Sequence, residues 1–225
     1  MARGGGRNTT LAKNALEKLC QTYWYPLYAY VRRRGYPEQD AKDLTQGFFE
    51  HLLQREAFRV VEPGRGKFRS FLLAALNHFL ADKHKRQQAQ KRGGGKVAFS
   101  IDELKAEQRY RIEPVDREAP DKLFERRWAV ALVDAAMERL KNEFESSGKG
   151  QLFRQLAGFL VDGAERRPYA EMAAELGLSE TAARKAVQRL RKSFQRAVRE
   201  EIAQTVSSLA EVEEELRHLW SVLSS

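Results

Sequence analysis

The chain has 225 residues, enough for one large domain or two small ones with a buried core. It is 42% apolar and 32% charged with a net charge of +9, and its single cysteine, Cys20, excludes an intrachain disulfide and a cysteine-rich zinc site. Arg3, Arg7 and the Gly4-Gly5-Gly6 run are not followed by the apolar core of a signal peptide, and the longest apolar run, Phe71 to Leu76, is too short to span a bilayer, so a cytoplasmic chain without a membrane partner is expected.

The first segment, 1–10, reads as disordered. From Leu11 to Arg34, the residues Leu16, Leu19, Tyr23, Leu27 and Val31 recur at helical spacing, and Pro26 predicts a kink or two short helices. Gly35-Tyr36 breaks this run. Pro37, Glu38 and Asp40 then suit the start of a second helix, with Ala41, Leu44, Phe48 and Leu52 on its buried face. Glu62 to Gly66 is a turn, and a third helix follows from Phe68 to Gln90, buried through Phe68, Phe71, Leu72, Ala75, Phe79 and Leu80. That helix begins apolar and ends as Lys83-His84-Lys85-Arg86, so one half is anchored and the other projects charge.

Gly93-Gly94-Gly95 opens a linker, 93–120, with one short helix near Ile101 to Arg109. Leu123 to Phe144 reads as a helix with Trp128, Leu132, Ala136 and Leu140 inside, and Gln151 to Val161 as another. Tyr169, Met172, Ala173 and Leu176 mark a short helix, followed by the tight turn Gly177-Leu178-Ser179 with Ser179 as cap. The next helix buries Ala183, Ala186, Val187, Leu190 and Phe194 and turns Arg184, Lys185, Gln188, Arg189, Arg191 and Lys192 outward. The tail, 200–225, reads as an acidic amphipathic helix that completes the second domain's core, or alternatively one whose acidic face shields the chain's basic surfaces. Leu209, Val212, Leu216, Leu219 and Trp220 would lie inside, with Glu211, Glu213, Glu214 and Glu215 outside. The expected fold is therefore all-α, with two helical domains, 11–92 and 121–199, the second ending in a helix-turn-helix.

Charge is unevenly placed. Residues 1–92 carry 18 Lys/Arg against 8 Asp/Glu, and Ser179 to Arg199 carries seven basic residues against one acidic. Two separated basic blocks fit a polyanion gripped in two places. A basic helix is usually only a solvated face, but here a small Ala173 at a helix crossing, Gly177 and a capped turn coincide with it. In a DNA-reading arrangement, Arg184, Lys185 and Gln188 would reach base edges, and Arg189, Arg191 and Lys192 phosphates.

Taken in order, Asp40 to Phe49, Phe68-Arg69-Ser70-Phe71-Leu72 and Tyr169 to Arg191 resemble sigma-70 family factors of the extracytoplasmic-function type. The first two stretches look like region 2 and the last like region 4. The resemblance implies a chain that binds core RNA polymerase, through the β′ clamp helices and the β flap, and promoter DNA. An anti-sigma factor is a further partner it allows. It places Asp43, Leu44, Gln46 and Glu50 at the clamp interface. It faces Phe58 to Lys91 toward the −10 element, with His78, Asp82, Lys83, Lys85 and Arg86 as candidates. The helix carrying Thr181, Arg184, Lys185, Gln188, Arg189, Arg191 and Lys192 would read the −35 element. His78 falls where many relatives have Asn, with Asn77 one residue earlier, and Ala182 and Ala183 stand where Thr and Val are usual.

Two other readings compete. A free-standing helix-turn-helix regulator would bind palindromic operators as a self-associating protein. A helical interaction module would show no salt-sensitive DNA binding. An enzyme reading finds little support, because Gly64-Arg65-Gly66-Lys67 lacks the P-loop pattern and His78 with Asp82 makes a poor metal set. No cofactor, metal or small-molecule substrate is expected.

Overall fold

The computed structural model describes residues 20, 22–54, 67–89, 103–111, 119–160, 168–206 and 208–225, and no strand occurs among them. The fold is all-α. Its helices are α1 (22–33), α2 (Glu38–Gln54), α3 (Phe68–Ala89), α4 (Glu103–Arg111), α5 (Pro120–Ser146), α6 (Gly150–Leu156), α7 (Tyr169–Leu176), α8 (Glu180–Ala203) and α9 (Leu209–Leu223). The segment 1–10, the turn at 62–66, Gly93 to Gly95 and most of the linker at 93–120 lie outside the described residues. The chain divides into two compact units, one built from Met1–Ala131 with Thr205–Ser225 and the other from Leu132–Gln204. The division falls within α5 and returns after α8, rather than in the 93–120 linker.

In the first unit, residues 22–33 are one helix despite Pro26. The proline withholds one backbone donor, but Tyr23, Trp24, Leu27, Tyr28 and Val31 are all buried around it, and that packing outweighs the local cost of about 3 kcal/mol. Gly35, with φ of 92°, ends the helix. Helix α2 starts with Glu38 and Asp40 in its first turn, where they meet the positive end of the helix dipole. Ala41, Phe48 and Leu52 are buried as expected, but Leu44 is only half-buried; Thr45 and Phe49 fill the core instead. On α3 the buried set is Phe68, Arg69, Leu72, Leu76, Phe79 and Leu80, with Phe71 and Ala75 half-exposed at the edge of the stripe.

Two charged clusters hold this unit together. Glu107 of α4, 5% exposed, accepts hydrogen bonds from the Tyr28 hydroxyl and from Arg32 Nε and Nη2, the latter two at 3.2 and 3.1 Å. Burial pushes the Glu107 carboxyl up, but the donors from Tyr28 and Arg32 outweigh it and hold the group below the usual carboxylate range. The short helix expected near Ile101 to Arg109 is therefore tied into the core through a carboxylate.

The second cluster corrects the reading of the tail. Helix α9 belongs to the first unit, not the second. Glu215, expected outside, is 2% exposed and meets Arg69 Nε at 2.9 Å and Lys67 Nζ at 3.1 Å. Arg69 also pairs with Glu125 and lies over the Trp128 ring at 5.0 Å, while His218 bonds to Glu125 from the other side. Val212, Leu216 and Leu219 are buried as expected, whereas Leu209 and Trp220 face outward. The physical reason is Arg69: a buried guanidinium requires a counter-charge, and α9 rotates to supply one.

The second unit packs α5 from Leu132 onward, α6, the 3₁₀ turn Ala157–Phe159, α7 and α8. Helix α6 ends earlier than the expected Val161, giving way to that 3₁₀ turn. Arg139 of α5 holds the C-terminal end of α8 through Glu200 at 2.6 Å and the buried Glu201 at 3.4 Å.

A buried pair is most damaging when broken on one side. Glu215→Ala is expected to destabilise the first unit by about 3–5 kcal/mol in urea unfolding, while Arg69→Met with Glu215→Leu should recover most of that loss.

Candidate nucleic-acid interface

The sharpest local geometry lies between α7 and α8. Gly177 adopts φ of 63° and ψ of 32°, the left-handed region that costs other residues roughly 1–2 kcal/mol. Its N–H bonds to the Ala174 carbonyl at 3.2 Å, and the Leu178 N–H bonds to the Ala173 carbonyl at 2.9 Å. This pairing satisfies the last carbonyls of α7 and reverses the chain within one residue. Ser179 then starts α8, its hydroxyl accepting from the Ala182 N–H at 3.3 Å.

Ala183, Ala186, Val187, Leu190 and Phe194 are buried as their spacing requires, and Ala197, Val198, Glu201 and Ile202 extend the stripe to the end of α8. The opposite face carries Thr181, Arg184, Lys185, Gln188, Arg189 and Lys192, all exposed. Arg191 departs from the expected set. It is half-buried, and its Nε and Nη2 donate to the Phe159 carbonyl at 3.3 and 3.1 Å, which turns it toward the core of its own unit.

Arg184 is also held. Its Nε and Nη2 donate to Glu180 Oε1 at 3.0 and 2.6 Å, and its guanidinium carbon stands 4.6 Å from the centre of the Tyr169 ring. Neither Glu180 nor Tyr169 stood out in the sequence as a site residue. The signal available was the four-residue spacing of Glu180 and Arg184, which pairs charges on a helix.

The second group of candidates lies on α2 and α3. Asp43 is exposed and accepts from Gln39 Nε2 at 3.2 Å, Leu44 is half-buried, and Gln46 donates to Glu50 at 3.1 Å. A groove of about 250 Å³ is lined by Gly47, Glu50, His51, Gln54, Phe79, Asp82 and Lys83. Glu50, expected at a protein contact, thus shares a groove with Asp82 and Lys83, expected at DNA. Lys83 stands 5.5 Å from the Phe79 ring centre, placing a cation beside an aromatic at the groove wall. His78 and Lys85 are exposed on α3, and of Arg86 only the helical backbone is described. Asn77 is turned back to Tyr30, whose hydroxyl donates to its Oδ1 at 2.9 Å, leaving the neighbouring His78 as the outward residue.

Among the described residues, no group of three or more His, Cys, Asp or Glu is arranged to hold a metal ion, and no helix is long and apolar enough to cross a membrane. Cys20 is buried in the core of the first unit.

A family model described as ECF sigma factor matches residues 12–200. That span includes α1 to α7 and nearly all of α8, and it leaves α9 outside. No curated protein and no solved structure matches the chain.

Because a Cβ at position 177 would meet nothing within 4 Å, the demand for glycine there is conformational. Gly177→Ala and Ser179→Ala are each expected to cost about 1 kcal/mol in denaturant unfolding of the second unit, with Gly177→Asn retaining more stability than Gly177→Ala.

Proposed function

The chain belongs to the ECF sigma factor family, and from that premise we propose that its two units divide promoter reading between them. Membership means that it binds RNA polymerase and directs promoter-dependent initiation, as a regulatory transcription factor. In the division proposed here, the first unit docks on the polymerase clamp through α2 and captures −10 bases along α3. The second unit lays α8 in the major groove at the −35 element.

The observation that carries the second half is the outer face of α8. Arg184, Lys185, Gln188, Arg189 and Lys192 are exposed together near the start of a helix whose entry is fixed by Gly177 and Ser179. Long donors on the first turns of such a helix suit base edges, and those further along suit phosphates. Arg189 and Lys192 are the phosphate candidates, with Thr181 at the N-terminal rim. Arg191, committed to the Phe159 carbonyl, acts instead as an internal support.

For the first half, the groove between α2 and α3 combines an aromatic wall, Phe79, with Lys83, and His78, Lys85 and Arg86 follow the same helix. Aromatic surface beside positive charge is what single-stranded bases require for stacking with the backbone neutralised. Asp43 and Gln46, further toward the start of α2, are left for the polymerase contact, with Leu44 contributing partly as core. Neither reader alone needs high affinity, because polymerase links them and the second contact becomes intramolecular. On the protein side the chain passes between the two units within α5 and again after α8.

Arg184→Glu with Lys185→Glu is expected to abolish dependence of transcription on the −35 element in a reconstituted assay while core polymerase is still bound. Asp43→Ala with Gln46→Ala should instead weaken core binding by about tenfold, read by titration against purified core enzyme. Arg189→Ala and Lys192→Ala should each lower the slope of log K against log salt by about 0.9, with little change in base preference.

A further inference from the structure

We propose that Tyr169 and Glu180 are positioning residues that aim Arg184 at a guanine, making one base pair of the upstream duplex the specificity determinant of α8. The inference rests on α8 entering the major groove. Arg184 is engaged on two sides at once. Tyr169 takes the face of the guanidinium, at 4.6 Å, and Glu180 takes the edge formed by Nε and Nη2, at 3.0 and 2.6 Å. What remains is the end formed by Nη1 and the second Nη2 hydrogen. Those donors form the parallel fork that matches the O6 and N7 acceptors of guanine, and no other base edge in the major groove offers two acceptors in that arrangement.

An exposed ion pair alone contributes little, and Arg184 is exposed. The support here is longer than one pair. The Tyr169 ring is stacked on the ring of Phe159 at 5.2 Å, and Phe159 is buried. The Phe159 carbonyl in turn accepts both bonds from Arg191, about two turns further along α8. A continuous chain of contacts therefore runs from the middle of α8 through the 3₁₀ turn and the first residue of α7 back to Arg184. A guanidinium confined in this way surrenders less rotamer freedom on meeting its base. The arrangement also gives Glu180 a second consequence. Its carboxylate neutralises Arg184, so that Arg184 adds sequence information without adding much to the non-specific attraction of the phosphates.

The experiment uses the full chain with core RNA polymerase and a promoter library randomised across the upstream duplex element, read as base preference at each position and as salt slope. The unaltered chain should show one strong guanine preference, and Arg184→Ala should flatten it. Glu180→Ala and Tyr169→Leu should each reduce that preference about tenfold at that position alone, with Tyr169→Phe retaining it. Glu180→Ala should also steepen the salt dependence. If Arg184→Ala flattens the preference while Glu180→Ala and Tyr169→Leu leave it intact, or lower every position alike, the positioning role is overturned and the proposed function stands. If Arg184→Ala changes no base preference, the proposal falls; if Arg184→Glu with Lys185→Glu also leaves the dependence on the −35 element intact, the proposed function falls with it. Should Tyr169→Leu fail to fold, the exposed Glu180→Ala decides the matter.

Discussion

The candidate interface depends on one constraint, the rotational register of α8. The helix advances about 3.6 residues per turn, and burying Val187, Leu190, Phe194, Val198 and Ile202 on one side leaves no freedom over what the other side presents. A rotation by one residue would drive Arg184 or Lys185 toward the core, where an unpaired cation costs far more than any local contact returns. Gly177 and Ser179 set where the helix begins, and the apolar stripe sets how it is turned. Direction and display of the cationic face follow from these two facts.

The first unit is organised by a different principle. Its elements α4 and α9 are separated in sequence from the helices they join, and each is tied in by a buried carboxylate that answers an arginine. Glu107 answers Arg32, and Glu215 answers Arg69. Buried pairs of this kind are poor sources of net stability, since desolvation offsets the attraction, but a missing partner is severely penalised. Their effect is to specify which helix docks and at which rotation. For α9 this selects Val212, Leu216 and Leu219 as the inner face and leaves Trp220 outside.

Much of this was legible from residue order. The apolar periods of α2, α5 and α8 located those helices within a few residues, and the glycine and serine of the 177–179 turn announced a reversal with a cap. The basic outer face of α8 was equally plain. The misreadings share a cause. Glu215 and Arg191 are charged residues that periodicity assigns to solvent, and each is drawn inward by a partner on another element. The helix through Pro26 is the converse case, in which a local penalty is overruled by tertiary burial. Tyr169 was read only as part of a short helix, and Glu180 was not singled out, so their meeting around Arg184 was not visible.

Sequence alone determined the helical class, the order of the family's motifs and the identity of the residues on the outer face of α8, because those properties depend on neighbours within a turn or two along the chain. Only the tertiary structure decided that α9 joins the first unit, that Arg191 supports rather than displays, and that Arg184 is clasped between an aromatic face and a carboxylate. Each of these turns on where a charge finds its counterpart. Such pairing is settled by distance in space, which the linear order of residues does not encode.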